Sequence, residues 1–297
     1  MGLSGWPAAA GVTAGLLAAV LAVAPASAAS APVVAVRPAV SAPSGVRAAY
    51  AELENAATGA DMWSLTSNKE VPMGSITKVM TAYVVIEAGD LDRMITVPSG
   101  ITAYDKKYGA STAGLKPGEK LTAHKLLYAL LIPSGCDAAY TLAYSYGSGH
   151  LPRFIDMMNA AARRLGLTKT RFTDFSGLPD PTETSTYSDA RDLLTLGRAA
   201  MKSPVFKAIV RLASYHLAAA SGQHPAFTWT TTNPLLGHYR GAIGIKTGYT
   251  SAAGACLLFE ATRGKVTLIG IVLHSGDELS QAGNDAVAML NWGFSRA

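Results

Sequence analysis

Cysteine is scarce: the 297 residues hold two, Cys136 and Cys256. No Cys-x-x-Cys pair or Cys/His cluster exists, so a zinc site has no support and neither metal nor cofactor is expected. Charge is sparse as well, with Asp, Glu, Lys and Arg making up 15% of the chain. A net charge of +5 spread over this length gives no reason to expect a nucleic-acid partner. No repeat and no coiled-coil heptad is present. The longest N-terminal apolar run, Ala14 to Val23, is shorter than the roughly 20 residues a membrane span needs.

Residues 1–28 contain no Asp, Glu, Lys or Arg, and they end in Pro25-Ala26-Ser27-Ala28. An apolar stretch followed by small residues is the layout of a secretory signal, here without the usual basic start. Residues 1–28 are therefore expected to be a signal peptide. Residues 29–45, rich in Ala, Pro, Val and Ser, are expected to be a flexible leader. The remaining stretch, 46–297, is long enough for one large domain, and nearly half its residues are apolar. Outside the cell, a modest positive balance suits an anionic wall or the outer face of a membrane.

From Val46 two strand-like runs flank Asn55-Ala56-Ala57-Thr58-Gly59, which predicts a hairpin. A helix follows over Ser75–Ala88, closed by Gly89. Residues 91–225 read as mainly helical. Thr122 is a helix cap, Pro133 a break, and Ser188 the expected N-cap of a helix within Tyr187–Ser203. The last third returns to strands around Lys246, Cys256 and Leu268, with Arg263-Gly264 as a hairpin turn. An amphipathic helix over Leu279–Trp292 ends the chain. Strands at both ends with helices between them imply an α+β fold, an antiparallel sheet flanked by helices with a mainly helical lobe.

Three short patterns carry chemistry. Ser75 and Lys78 stand one helical turn apart, on one face. A serine hydroxyl needs a base to become a nucleophile, and a lysine serves only where burial or a neighbouring cation depresses its proton affinity. The segment after Lys78, Val79 to Ile86, is apolar nearly all round, so the lysine faces a desolvating core. Ser134 sits in Pro133-Ser134-Gly135-Cys136, on a tight loop between helices, where a second hydroxyl can relay a proton. Lys246-Thr247-Gly248 closes a strand and offers a cation, a hydroxyl and an edge that a substrate backbone can approach.

In that order and on those supports, the three patterns resemble the active-site serine penicillin-binding proteins and β-lactamases. Within that group the chain is similar to the low-molecular-mass D-alanyl-D-alanine peptidases. Residues 55–59, Phe172-Thr173-Asp174-Phe175-Ser176-Gly177-Leu178 and Tyr187-Ser188-Asp189-Ala190-Arg191-Asp192-Leu193 support that likeness. The resemblance implies catalytic roles for Ser75, Lys78, Ser134 and Lys246. It implies an oxyanion hole made by the backbone amides of Ser75 and Tyr249, and substrate contacts from Cys136, Thr247 and Gly248. The implied partners are peptidoglycan stem peptides and, as covalent inhibitors, β-lactam antibiotics, acting on an exported monomer.

Two departures stand out. The family's usual Ser-x-Asn reads Ser134-Gly135-Cys136 here, as in a small branch of DD-transpeptidases, which favours transfer over hydrolysis. It also argues against a Cys136–Cys256 disulfide, because Cys136 should face the cleft. The segment 275–283 carries no basic residue to hold a terminal carboxylate, leaving that task to Lys246 and Thr247. Two other readings remain open: a β-lactamase, for which Glu183 reads as an exposed loop residue rather than a base, and a non-catalytic penicillin or peptidoglycan sensor.

Overall fold

Asn55 and Gly59 fold the first hairpin. The Asn55 side chain accepts from the amides of Ala57 and Thr58, and the Gly59 amide returns to the Asn55 carbonyl. This turn joins β1 (Tyr50–Asn55) to β2 (Asp61–Leu65), as the Gly-containing turn predicts. The protein is described here by a computed structural model covering residues 41–297. The expected signal peptide and most of the expected leader lie outside the described residues.

Two short strands, β3 (Met94–Thr96) and β4 (Lys120–Thr122), pair with each other, as do β5 (Ser214–Leu217) and β6 (Phe227–Thr230). Neither pair is signalled by the sequence reading, which treats residues 91–225 as mainly helical and assigns no strand to 227–230. The long strands are β7 (Ala242–Thr250), β8 (Gly254–Arg263) and β9 (Val266–Leu273). They join β1 and β2 in one antiparallel sheet ordered β2-β1-β9-β8-β7.

Eight helices complete the described fold: α1 (Lys78–Ala88), α2 (Gly100–Tyr108), α3 (Ala123–Leu131), α4 (Cys136–Tyr146), α5 (Leu151–Arg164), α6 (Ala190–Met201), α7 (Pro204–Val210) and α8 (Leu279–Phe294). Asp189 caps α6 through the Asp192 amide; the cap is not the expected Ser188. Ser188 is held in extended backbone by its bridge to Val71, so the helix starts one residue later.

Both faces of the sheet are covered. On β8, Leu257 and Phe259 pack with Leu290 of α8, while Cys256 and Leu258 point to the helical side. That two-sided burial explains why β8 reads as a continuous apolar run rather than an alternating one. Phe259 is fully buried, and truncation to Ala would cost about 3–5 kcal/mol. Helix α1 is apolar nearly all round because α3, α4, α5, α6 and α7 surround it. Its first residue, Lys78, is thereby driven to the floor of a cleft between the helical lobe and edge strand β7.

Candidate active site

Ser75 lies in a 3-10 turn, Gly74–Thr77, that runs directly into α1. The fully buried Lys78 donates from Nζ to Ser75 Oγ at 2.6 Å. It also donates to the carbonyl oxygen of Ser176 at 3.1 Å. These two acceptors fix the direction of the amine.

The Ser176 carbonyl is itself held in place. Asp174 Oδ1 accepts from the amides of Ser176, Gly177 and Leu178 at 2.7, 2.6 and 3.0 Å, and from the Ser176 hydroxyl at 2.9 Å. Its Oδ2 accepts from the Tyr104 hydroxyl of α2 at 2.5 Å. Burial, and then the Asp174 carboxylate, push the Tyr104 hydroxyl well above its ordinary range, so it stays a donor. Thr81 on α1 ties down the Phe175 carbonyl at 2.5 Å. At Gly177, with φ of +87°, an added Cβ would lie 1.9 Å from the Gly74 carbonyl oxygen. The loop thus presses against the turn that carries Ser75.

Ser134 occupies the left-handed region, with φ of +67°. A non-glycine residue there is strained and needs outside support. Ser111 supplies it: its hydroxyl donates to the Ser134 carbonyl at 2.9 Å, and its carbonyl accepts from the Cys136 amide at 2.8 Å. Asp137, fully buried, accepts from the amides of Ala113 and Leu115 and so fastens the same strap to α4. Burial raises its carboxyl while those amides pull it down. Trp229 of β6 adds a hydrogen bond to the Ala113 carbonyl at 2.8 Å. Ser134 Oγ is buried, and none of the described residues bonds it.

Lys246 and Thr247 belong to β7, the sheet's outer strand on this side. The sequence reading expects a cation facing substrate at Lys246. The structure instead sets its amine beneath Thr247, 1% exposed, donating to the Thr247 carbonyl at 3.0 Å. Burial, and then the Lys78 charge, hold the Lys246 ammonium well below the usual lysine range, with nearby Cys136 pulling the other way. Thr247 Oγ1 shares a short hydrogen bond with Thr232 Oγ1. At Gly248 an added Cβ would meet the Met73 carbonyl at 2.3 Å, so only glycine lets β7 lie against the Ser75 turn. The Tyr249 amide faces that turn too, 2.7 Å from where a Cβ on Gly74 would stand.

Ser75, Ser134, Cys136, Thr247, Gly248 and Tyr249 line one cleft of about 440 Å³. Lys78 and Lys246 lie under it. Cys136 is buried, with Sγ 3.9 Å from Ser111 Oγ, and both cysteines are free thiols. Glu183 is exposed at the rim. His216 and His238 are exposed and do not line it. Among the described residues no group of three or more His, Cys, Asp or Glu is placed to hold a metal. Sequence reasoning found the three chemical patterns but missed the supports Tyr104, Ser111, Asp137 and Thr232. Asp174 and Ser176 are noticed only as part of a resembling stretch.

The family described as D-alanyl-D-alanine carboxypeptidase matches residues 37–276. The chain belongs to this family. It is 38% identical over 251 residues to the D-alanyl-D-alanine carboxypeptidase of Streptomyces sp. (strain K15), covering 81% of this chain and 85% of that protein. It is 36% identical over 229 residues to D-alanyl-D-alanine carboxypeptidase DacB2 of Mycobacterium tuberculosis (strain ATCC 25618 / H37Rv), covering 75% and 74%. The crystal structure of the Streptomyces K15 DD-transpeptidase superposes with a TM-score of 0.79 at 37% identity, covering 84% of this chain and 98% of that one. A D-alanyl-D-alanine carboxypeptidase structure from Mycobacterium tuberculosis H37Rv gives 0.76 at 32%, covering 84% and 92%. The α+β architecture expected from the sequence is that of these DD-peptidases, and the chain is a serine-type enzyme of their class.

Proposed function

We propose that Ser75 is the nucleophile and Lys78 its base in acyl transfer from D-alanyl-D-alanine-ended stem peptides of peptidoglycan. The observation that carries this reading is the 2.6 Å contact between Lys78 Nζ and Ser75 Oγ, over a second buried lysine. Ser75 Oγ attacks the carbonyl carbon of the penultimate D-alanine, and its proton passes to the Lys78 amine. The oxyanion is held by the amides of Ser75 and Tyr249. The C–N bond then breaks, and the leaving D-alanine nitrogen receives a proton relayed through the Ser134 hydroxyl, with Lys246 alongside. The resulting ester on Ser75 is cleaved by water or by the amine of a second peptide. Thr247 and Thr232 offer hydroxyls for the donor's terminal carboxylate, and the Gly248 edge takes its backbone.

Cys136 favours transfer. Its thiol is a weaker hydrogen-bonding group than the amide it replaces, so the cleft wall orders donor and water less firmly. Glu183, exposed on the rim, makes no hydrogen bond to Ser75 and is read as a loop residue rather than a deacylating base. Penicillins should therefore trap the enzyme, and nitrocefin should not be turned over rapidly. The uncharged apolar start of the chain supports export through residues 1–28, a leader over 29–45, and a domain over 46–297 working as a monomer at the wall or outer membrane face. No helix among the described residues is long and apolar enough to cross a membrane.

The test is mass spectrometry of the protein after penicillin treatment, with D-alanine release measured alongside. One adduct on the Ser75 peptide, absent in Ser75→Ala together with D-alanine release, is expected. An adduct elsewhere, or release surviving in Ser75→Ala, overturns the assignment.

A further inference from the structure

A second cavity, of about 490 Å³, shares no lining residue with the cleft. Its size falls within the range of small-molecule sites, about 300–1,000 Å³. The Asn55–Gly59 turn forms one wall, and Arg198, Lys202, Lys207, Glu260 and Thr267 form the rest of its polar lining. That turn is one of the stretches noticed in the sequence, and the chemistry at Ser75 makes no use of it.

Charge is distributed unevenly with depth. Glu260 lies in the middle of β8 and is 4% exposed. Glu54 and Glu260 both pair with Ile269 of β9, one from each side, so they share a sheet face. Glu54 is matched by the Arg198 guanidinium in a short ion pair. Glu260 has no such match: among the described residues its carboxylate takes neither a hydrogen bond nor an ion pair within 4.0 Å. Lys207 acts on it only through its field. The Glu260 carboxylate therefore opens into the cavity with no side-chain partner, which leaves its acceptor sites to whatever enters. Lys202 and Lys207, by contrast, stand exposed at the rim and take part in no ion pair there.

A simple cation would meet the two rim lysines, and a simple anion would meet Glu260. A small zwitterion with its ammonium inward and its carboxylate outward satisfies both. We propose that this cavity binds a free α-amino acid, its ammonium on Glu260 and its carboxylate on Lys202 and Lys207. Ala57 and Thr58 line the site from the hairpin side. Gly59 suits the turn through its φ of +69°, and a Cβ there would also push on the flexible end of Arg198, Nη1 at 2.7 Å.

The experiment is calorimetric titration of the whole protein with D-alanine and with glycine, before and after acylation by penicillin. Saturable one-to-one binding is expected in the millimolar range, where ΔG° is about −4 kcal/mol, and unchanged by acylation. Glu260→Gln should weaken it by at least about tenfold while leaving the rate of β-lactam acylation unchanged. The exposed pair Lys202→Gln/Lys207→Gln, which removes no packing, should weaken it similarly. Acetate and ethylamine, each half of the zwitterion, should bind far more weakly than either amino acid. Absence of saturation, equal binding of acetate, or binding indifferent to both variants overturns the proposal. Closing the cleft with penicillin rests on the Ser75 reading, whereas the variant comparison does not. A failure of either is thus distinguishable from a failure of the other.

Discussion

Lys78 donates to the carbonyl oxygen of Ser176 at 3.1 Å, so the amine beside Ser75 is aimed by a loop 98 residues further along the chain. That loop is shaped by one carboxylate, Asp174, which holds three successive amides and two hydroxyls. The Lys78 amine is therefore aimed by a buried acid that does not touch it.

Asp174→Ala should uncouple that support. The buried donors it leaves unpaired should lower stability by about 3 kcal/mol. Acylation by a fluorescent penicillin should slow by at least about tenfold, since Lys78 loses a fixed acceptor. Asp174→Asn, which keeps an oxygen for the amides, should recover most of the stability and part of the rate. Stopped-flow labelling beside thermal unfolding checks both. Wild-type acylation in the Ala variant would show that the loop does not aim Lys78.

Gly248→Ala tests the contact between the Ser75 turn and β7. Its Cβ would stand 2.3 Å from the Met73 carbonyl, and backbone cannot yield as a flexible side chain can. The turn must shift, costing about 1–3 kcal/mol in overpacking. A displacement near 1 Å at a nucleophile costs about 10²-fold in rate. The acylation rate constant should thus fall far more than the melting temperature does. Acylation within a factor of a few of wild type would contradict the tight approach.

Much of this site was legible because its chemistry is local in sequence. Ser75 and Lys78 are one turn apart, and the apolar stretch after Lys78 announces its burial. The supports were not legible for the opposite reason. Ser111 and Asp137 matter because a strap over 111–115 returns against the start of α4, and nothing in the composition of either segment announces that meeting. Lys246 was expected to face substrate because it ends a polar strand tip. Its inward direction depends on the pleat of β7 against the 3-10 turn, which only the register with β8 fixes. The β5–β6 pair was missed because its strands are four residues each, too short to show alternation against a helical background.

Cys136→Asn restores the amide that most relatives of this kind place in the second motif. The side chain lines the cleft but takes no part in the Lys78–Ser75 contact. Acylation should continue, within about tenfold of wild type, because the Ser75–Lys78 pair is untouched. The ratio of hydrolysis to aminolysis should rise, since an amide orders donor and water more firmly than a thiol. Product ratios measured with a D-alanyl-D-alanine donor and glycylglycine as acceptor report this directly. Complete loss of acylation would mean the thiol takes part in the first step.

Glu54 makes stability depend on pH. Burial raises its carboxyl to about 7 from an ordinary 4.5, in spite of the Arg198 guanidinium beside it. Between these values the folded chain holds a proton that the unfolded chain has lost. The stabilisation is complete below about 4.5 and is lost as pH rises through about 7. Urea unfolding of the wild type should thus lose up to about 3 kcal/mol between pH 4.5 and 8 relative to Glu54→Gln. The other raised carboxyls, Glu52 and Glu260 among them, remain in both proteins and cancel in the comparison. Parallel stability curves would show that the ion pair keeps Glu54 ionised throughout.

Ser134→Ala separates chemistry from structure most cleanly. The Ser134 hydroxyl is buried, and none of the described residues bonds it, so deleting it breaks no hydrogen bond within the fold. The backbone strain at φ of +67° is carried by Ser111, which bonds the Ser134 carbonyl and would do so for alanine as well. Stability should therefore change by less than about 0.5 kcal/mol, as for a site with no lost partner. Acylation should nonetheless fall about 10²–10⁴-fold, the usual contribution of a positioned proton-transfer group. A melting temperature that drops with little change in rate would reverse the assignment and make this hydroxyl a structural one.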